Sequence, residues 1–225
     1  MRVVVSPGAI EAAGVTGLAR QLAGGGSVPP IELPAWGVRD LGRRLSAAEV
    51  HSLRKALLGL GPGKELVPRD PDDQVVGYVC VGRSVFDHAG GRAGAGTLRG
   101  SATPTPVVAV TDHANLTWQS PLRGPNDDSL GPRFTVTAGM YAPELVSSRI
   151  TAVQGEVAGV YDTRSLSGFE TRICAQSGFP AVSSELVPVA LIAAHLGFRL
   201  AAAVLLLDEM IDEGGRPQGD ATTGG

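Results

Sequence analysis

The chain is expected to form a single α/β domain with a mixed, largely parallel sheet flanked by helices. Three observations predict it. Short apolar runs of strand length recur along the chain: Arg2 to Val5, Val75 to Val81, Val107 to Val110 and Phe198 to Leu207. Amphipathic or apolar stretches of helical length fall between them. Each apolar run stops at a polar or glycine-rich segment, the pattern of strands buried on both faces and joined by crossovers.

Length and composition set the bounds. With 225 residues, 43% hydrophobic and 18% charged, the chain has enough apolar material for a real core and is not of disordered composition. Residues 1–211 are assigned to the domain, and 212–225 (DEGGRPQGDATTGG) read as a disordered tail. Net charge is -3 with no Lys/Arg block, so neither nucleic acid nor an anionic membrane surface is an expected partner. No apolar run is long enough to span a bilayer, and the N-terminus enters strand-like sequence directly. A cytoplasmic location is therefore expected. The two cysteines, Cys80 and Cys174, read as free buried thiols. No metal and no cofactor are expected.

In chain order, the first strand ends at Ser6-Pro7-Gly8. That turn is either a phosphate cradle or a plain strand-to-helix connection; it lacks the several glycines that let backbone amides approach an anion. Gly24 to Pro34 reads as a flexible or edge segment. Ser46 and Glu49 form a capping box, and Val50, Leu53, Leu57 and Leu60 give the helix behind it one apolar stripe, stopped by Gly59, Gly61 and Gly63. After the strand at Val75, His88 is the side chain with chemistry near neutral pH, as a catalytic group or as a structural one.

The run Val107 to Val110 leads through Asp112-His113 into a long loop rich in Pro, Gly, Asn and Asp with Trp118 inside it. Asp112, Asn115, Arg123 and Asn126 are read as bracing that loop and subunit contacts rather than touching a ligand. Farther on, Val157 to Val160 and Ala181-Val182 read as short strands, and Ser167 to Thr171 leads into a helix. Val187 to Leu196 is an apolar helix with Pro188 in its first turn and His195 in its last, where a cation suits the helix dipole. Asp87-His88, Asp112-His113 and Asp208-Glu209 each follow a strand, so in a parallel sheet they are expected to share one edge and line one crevice.

Several of these segments resemble the trimeric purine nucleoside phosphorylases. VTDHANL (Val110 to Leu116), PLRGPND (Pro121 to Asp127) and Arg133-Phe134 look like that family's middle segment. SGFET (Ser167 to Thr171) resembles its SFET motif, and HAGG (His88 to Gly91) is similar to its AAGG turn. The resemblance covers roughly residues 75 to 210. It implies a nucleoside-phosphorylase-like fold, a homotrimer and a small nucleoside-like ligand. Under it, Glu170 hydrogen-bonds the purine with Phe169 packed on the base, and Phe134 reaches into a neighbouring subunit's site. Asp208 falls at the family's base-contacting Asn, which changes a donor-plus-acceptor into an acceptor.

The phosphate site is where the resemblance fails. VSPGAI around Ser6 is a remnant of the family's Gly-Ser-Gly loop, Asp40 falls near the family's histidine, Ser184 at its sugar-contacting Met, and Glu185 at a phosphate-binding Ser. Carboxylates where an anion should sit repel it by roughly 1 kcal/mol in water and about 4 kcal/mol at a typical site dielectric, at a spacing of about 4 Å. The expected function is therefore N-glycosidic bond cleavage on a nucleoside-like molecule without the usual phosphate, with Asp40 or Glu185 as general base. The alternatives are a repurposed biosynthetic enzyme, using these carboxylates and His88 for a cyclisation or isomerisation, and a binding-only homologue.

Overall fold

The computed structural model describes residues 1–6, 15–25, 31–32, 45–60, 75–85 and 107–207. Seven strands and five helices appear among them. In order they are β1 (Arg2–Val5), α1 (Val15–Ala23), β2 (Ile31–Glu32), α2 (Ala47–Leu58), β3 (Val75–Ser84), β4 (Val107–Asn115), α3 (Pro143–Ser147), β5 (Val153–Gly159), α4 (Gly168–Gln176), β6 (Ala181–Ser183), α5 (Leu186–His195) and β7 (Arg199–Leu206).

All seven strands belong to one sheet, in the order β2-β1-β3-β6-β5-β4-β7, and β7 also pairs with β3. The sheet therefore curls until β3, β6, β5, β4 and β7 form a closed ring, with β1 and β2 extending from β3 as a flap. β1, β2, β3 and β7 run parallel to one another. So do β4, β5 and β6. The two groups meet at antiparallel seams, β4 against β7 and β3 against β6. The mixed, largely parallel α/β sheet expected from the sequence is present, and its closure is the added feature.

The strands form because their residues suit burial on both faces. Val3 to Val5, Val76 to Cys80, Val107 to Val110 and Leu200 to Leu206 are all buried. β7 reads RLAAAVLL, and its three alanines let the central strand accept neighbours at close range. Helices α2 and α5 cover one face, packing Leu53, Leu57, Leu186, Val189 and Ile192 against Val4, Tyr78, Val110 and Leu200. α1 and α3 cover the other, with Val15, Ala19, Leu22, Val146 and Ile150 against Val5, Val79, Ala201 and Ala203.

Local signals behave as their chemistry dictates. Ser46 caps α2, its side chain accepting from the Glu49 amide while the Glu49 carboxylate accepts from the Ser46 amide. Gly59 ends the helix at φ 66°, a left-handed conformation that suits a residue without Cβ. Ile31–Glu32 is indeed an edge strand. Cys80 and Cys174 are both free and buried.

Two expectations are corrected. β4 runs antiparallel to β7, with Val107 opposite Leu205 and Ala109 opposite Ala203. Asp112-His113 consequently lies toward the start of β7, so the C-terminal ends of β4 and β7 do not share an edge; Asp87-His88 and Asp208-Glu209 lie outside the described residues. His113 instead faces Tyr141, whose hydroxyl lies 2.8 Å from its Nδ1, and Tyr141 bridges Leu200 near the start of β7. The second correction is His195, which is 1% exposed and held below its ordinary pKa chiefly by burial and then by Arg54. It is a neutral buried imidazole, not a cation answering the helix dipole.

Ring closure depends on a close approach at Gly82. A Cβ there would lie 2.6 Å from the Val182 carbonyl oxygen and 2.6 Å from Val204 Cγ1, one contact on each neighbouring strand. Gly82→Ala is expected to destabilise the fold by about 1–3 kcal/mol, as overpacking of a close-packed core does. A urea denaturation midpoint that did not move would show that the ring yields at this point.

Candidate functional site

β4, β5 and β6 are parallel neighbours, so the segments leaving their C-terminal ends come together. They build a cleft lined by Thr117, Gln119, Ser120 and Pro121 after β4, Gly159 and Val160 at the end of β5, and Ser183 and Ser184 at the end of β6, with Leu45, Val187 and Pro188 completing the wall. Its polar lining is hydroxyl and amide; no charged side chain is among these residues.

The wall after β4 is braced as the sequence suggested. Asn115 Oδ1 accepts from the Thr117 amide and hydroxyl, at 3.2 and 2.6 Å, while its Nδ2 donates to Gln119 O at 2.7 Å. Tyr161 donates to Thr117 O, and Arg123 donates to Trp118 O at 2.8 Å. These bonds hold Trp118 at φ 56°, the sole non-glycine residue with positive φ among the described residues. Asn126 Nδ2 donates to Asp128 and to Gly131 O, and Asp112 accepts from the His113 amide. All four of these bracing residues thus bond within the segment.

Beside the cleft, where β6 turns into α5, Glu185 is 4% exposed. Its position follows from how β3 shares its edge. β1 pairs with β3 up to Val79, and β6 takes over at Arg83. Val81 lies in the gap, and two side chains from the β6–α5 turn complete its hydrogen bonds. Glu185 Oε2 accepts from the Val81 amide at 3.2 Å, and Ser183 Oγ donates to the Val81 carbonyl at 2.8 Å. Ser6, just past β1, donates its hydroxyl to the same Glu185 oxygen at 2.6 Å, and Tyr78 donates to the Glu185 carbonyl at 3.2 Å. Burial, with Glu185 as a lesser cause, pushes the Tyr78 and Cys80 pKa values up, so both stay protonated beside the carboxylate.

The remaining predicted residues separate. Ser184 lines the cleft, immediately before Glu185. Glu170 is the third residue of α4 and closes a capping box. Its Oε2 accepts from the Ser167 amide and hydroxyl, both at 2.8 Å, and these bonds hold its carboxyl below the usual range. Phe169 beside it is 63% exposed, with the Arg172 guanidinium 5.9 Å from its ring centroid. Phe134 is 84% exposed on the loop after β4. His88, Asp40 and Asp208 lie outside the described residues.

Sequence reasoning missed Ser183 and Tyr78. The signal for the first was present: Ser183-Ser184-Glu185 is a polar triplet between an apolar strand and an apolar helix, and buried polar residues in such a place need partners. Tyr78 inside an apolar strand carried no comparable mark. Among the described residues no His/Cys/Asp/Glu group is arranged to hold a metal ion, and no helix is long and apolar enough to cross a membrane.

No protein-family model matches the chain. Curated sequences do match. The purine nucleoside phosphorylase of Mus musculus is 30% identical over 118 residues, covering 47% of this chain and 41% of its own length. That of Saccharomyces cerevisiae is 30% identical over 130 residues, covering 52% and 42%. Over these stretches the chain is similar to the purine nucleoside phosphorylases. The matched stretch spans about two fifths of these relatives' length. A solved purine nucleoside phosphorylase from Schistosoma, in complex with guanosine, aligns over 60% of this chain and 49% of its own at 17% identity, with a TM-score of 0.47.

Ser6→Ala removes one of the hydrogen bonds to a carboxylate that is nine-tenths buried. The expected cost is about 1–3 kcal/mol of unfolding free energy, the range for a buried group that loses its partner. An unchanged urea midpoint would mean that the seam at Val81 does not use Ser6.

Proposed function

We propose that this chain cleaves the N-glycosidic bond of a nucleoside-like small molecule without using phosphate as the nucleophile. The observation that carries the reading is the bond between Ser6 and Glu185. Both residues stand at positions that, by resemblance, would contact phosphate. Here the Ser6 hydroxyl and the Val81 amide are already donating to the chain's own carboxylate. A phosphate entering that point would have to displace Glu185 and then face its charge. Water as nucleophile, activated by Glu185 or Asp40 as general base, meets no such conflict.

In this reading Phe169 and Glu170, at the start of α4, take the base, and Asp208 contacts it as an acceptor. Ser184 faces the sugar. Phe134 and its exposed neighbour Val136 serve a homotrimer, with Phe134 offered to an adjacent subunit's site; at 84% and 76% exposure both are available for such a contact. For Glu170 to reach a base, its carboxylate must leave the Ser167 amide, an exchange of one hydrogen bond for another at the exposed end of a helix.

A second reading draws on that same capping bond. If Glu170 stays with Ser167, the base contact is lost and the scaffold becomes a repurposed biosynthetic enzyme, with Glu185 doing acid/base work on another small molecule. Release of free base from inosine, guanosine and adenosine, each assayed with and without inorganic phosphate, separates the readings. The first expects base release at equal rates in both conditions. Phosphate-dependent release would overturn it. Binding of purines without turnover would point to a binding-only homologue, and neither binding nor turnover to the repurposed enzyme.

Glu185→Gln adds a sharper test. The amide oxygen still accepts from Val81, so the fold is expected to survive, while loss of the base should lower kcat by about two to four orders of magnitude. Retained kcat in a folded E185Q protein would reduce Glu185 to a purely structural residue.

A further inference from the structure

His195 ends α5 with its ring 1% exposed, against the loop that follows β4. Its Nδ1 lies 3.1 Å from the carbonyl of Pro132. A carbonyl only accepts, so Nδ1 carries the proton and donates, which leaves Nε2 as a bare lone pair. Nε2 is buried and has no hydrogen-bond partner. The loop presses close at this point: a Cβ on Gly131 would lie 1.7 Å from the His195 carbonyl oxygen and 3.2 Å from its Nδ1. Glycine is what permits the approach. Two residues past Pro132 the same loop presents Phe134.

The charged groups that face His195 come from two other elements. Arg54, on α2, has its own Nε buried without a partner, and its positive charge opposes a proton on the imidazole. Asp127, in the loop, favours that proton but is turned to the Ser129 amide and hydroxyl, at 3.1 and 2.5 Å. Among the described residues no acceptor is placed to receive an Nε2–H.

We propose that His195 is a neutral latch: it clamps residues 127–133, and with them the base of Phe134, onto the end of α5 near neutral pH, and protonation at Nε2 opens that clamp. An imidazolium here would be a buried cation beside a guanidinium with one of its two donors unpaired, and the cheapest relief is for the loop to lift and admit water. The sign follows. The free imidazole titrates near 6.5 and the latched one lower, so the clamp is at full strength above about pH 6.5 and weakens as pH falls below it. The latch stands apart from the proposed glycosidic chemistry and is tested without substrate.

Hydrogen exchange on the intact protein reads it. Leu130 and Gly131 donate their amides to Asp127 O at 3.0 and 3.4 Å, inside the clamped segment. Corrected for intrinsic exchange, their protection is expected to fall about tenfold or more between about pH 7.5 and pH 5, because the open loop takes up the proton that the clamped ring refuses. Amides of β5 serve as the internal reference and should hold. His195→Asn keeps a donor near the Nδ1 position and removes the titrating nitrogen, so its protection should vary less than about twofold over the same range. Arg54→Gln removes a charge that opposes the proton on the clamped ring, so the loss of protection at low pH should shrink. Loss of protection in H195N equal to that in the wild type, or no loss in the wild type, overturns the proposal. Nitrogen-15 spectra of the wild-type imidazole give an answer even if neither variant folds: the Nδ1–H tautomer at neutral pH is expected, and a ring already charged there would overturn the latch.

Discussion

The fold depends on what happens at Val81. A strand that serves two successive neighbours along one edge leaves backbone groups exposed where one neighbour ends and the next begins. Here β1 stops at Val79 and β6 starts at Arg83. Buried amides and carbonyls without partners cost about as much as a lost hydrogen bond, and the gap lies where the ring closes. The chain fills it with the turn leading into α5. Glu185 takes the amide, Ser183 takes the carbonyl, and Ser6 from the end of β1 is drawn onto the same carboxylate. One turn thus ties β1, β3, β6 and α5 together, and the same turn forms the wall beside the cleft.

The chemical role proposed for Glu185 does not compete with its structural one. A general base needs a fixed position and an anionic resting state. The Val81 amide and the Ser6 hydroxyl both donate to Glu185 Oε2, and burial keeps the geometry narrow. The same bonds exclude an external anion from those donors. The residue that holds the seam is thereby the one on which the proposed chemistry rests.

Much of this architecture was legible in the sequence because buried strands and capped helices carry local chemical marks. Ser46 with Glu49, and the stripe Val50, Leu53, Leu57, announced α2 before any contact was known. The nearly continuous apolar run Phe198 to Leu207, broken only by Arg199, announced β7, buried from Leu200 onward. Direction was not legible. Nothing in VVAVTDHAN says that β4 enters against β7, since strand polarity is set by the path of the connections, and the expectation of one shared edge failed for that reason. His195 was misjudged on the same grounds. The helix dipole is a local rule, while burial beside Arg54 is a tertiary fact that overrides it.

The site shows the same division between local and tertiary information. The motif SGFET could be read as a base-binding signature or as a capping box, and both rest on the same serine and glutamate three residues apart. The capping box has its partners already within reach: the Ser167 amide and hydroxyl each lie 2.8 Å from Glu170. A ligand has only to offer a donor better than the Ser167 amide to reverse that outcome, and α4 would keep its cap in part through the bond from the Glu170 amide to Ser167 Oγ. The carboxylate at Glu185 has no such freedom. Its Oε2 is held by strand backbone and a buried hydroxyl, so its position is set by the fold rather than by anything that enters the cleft.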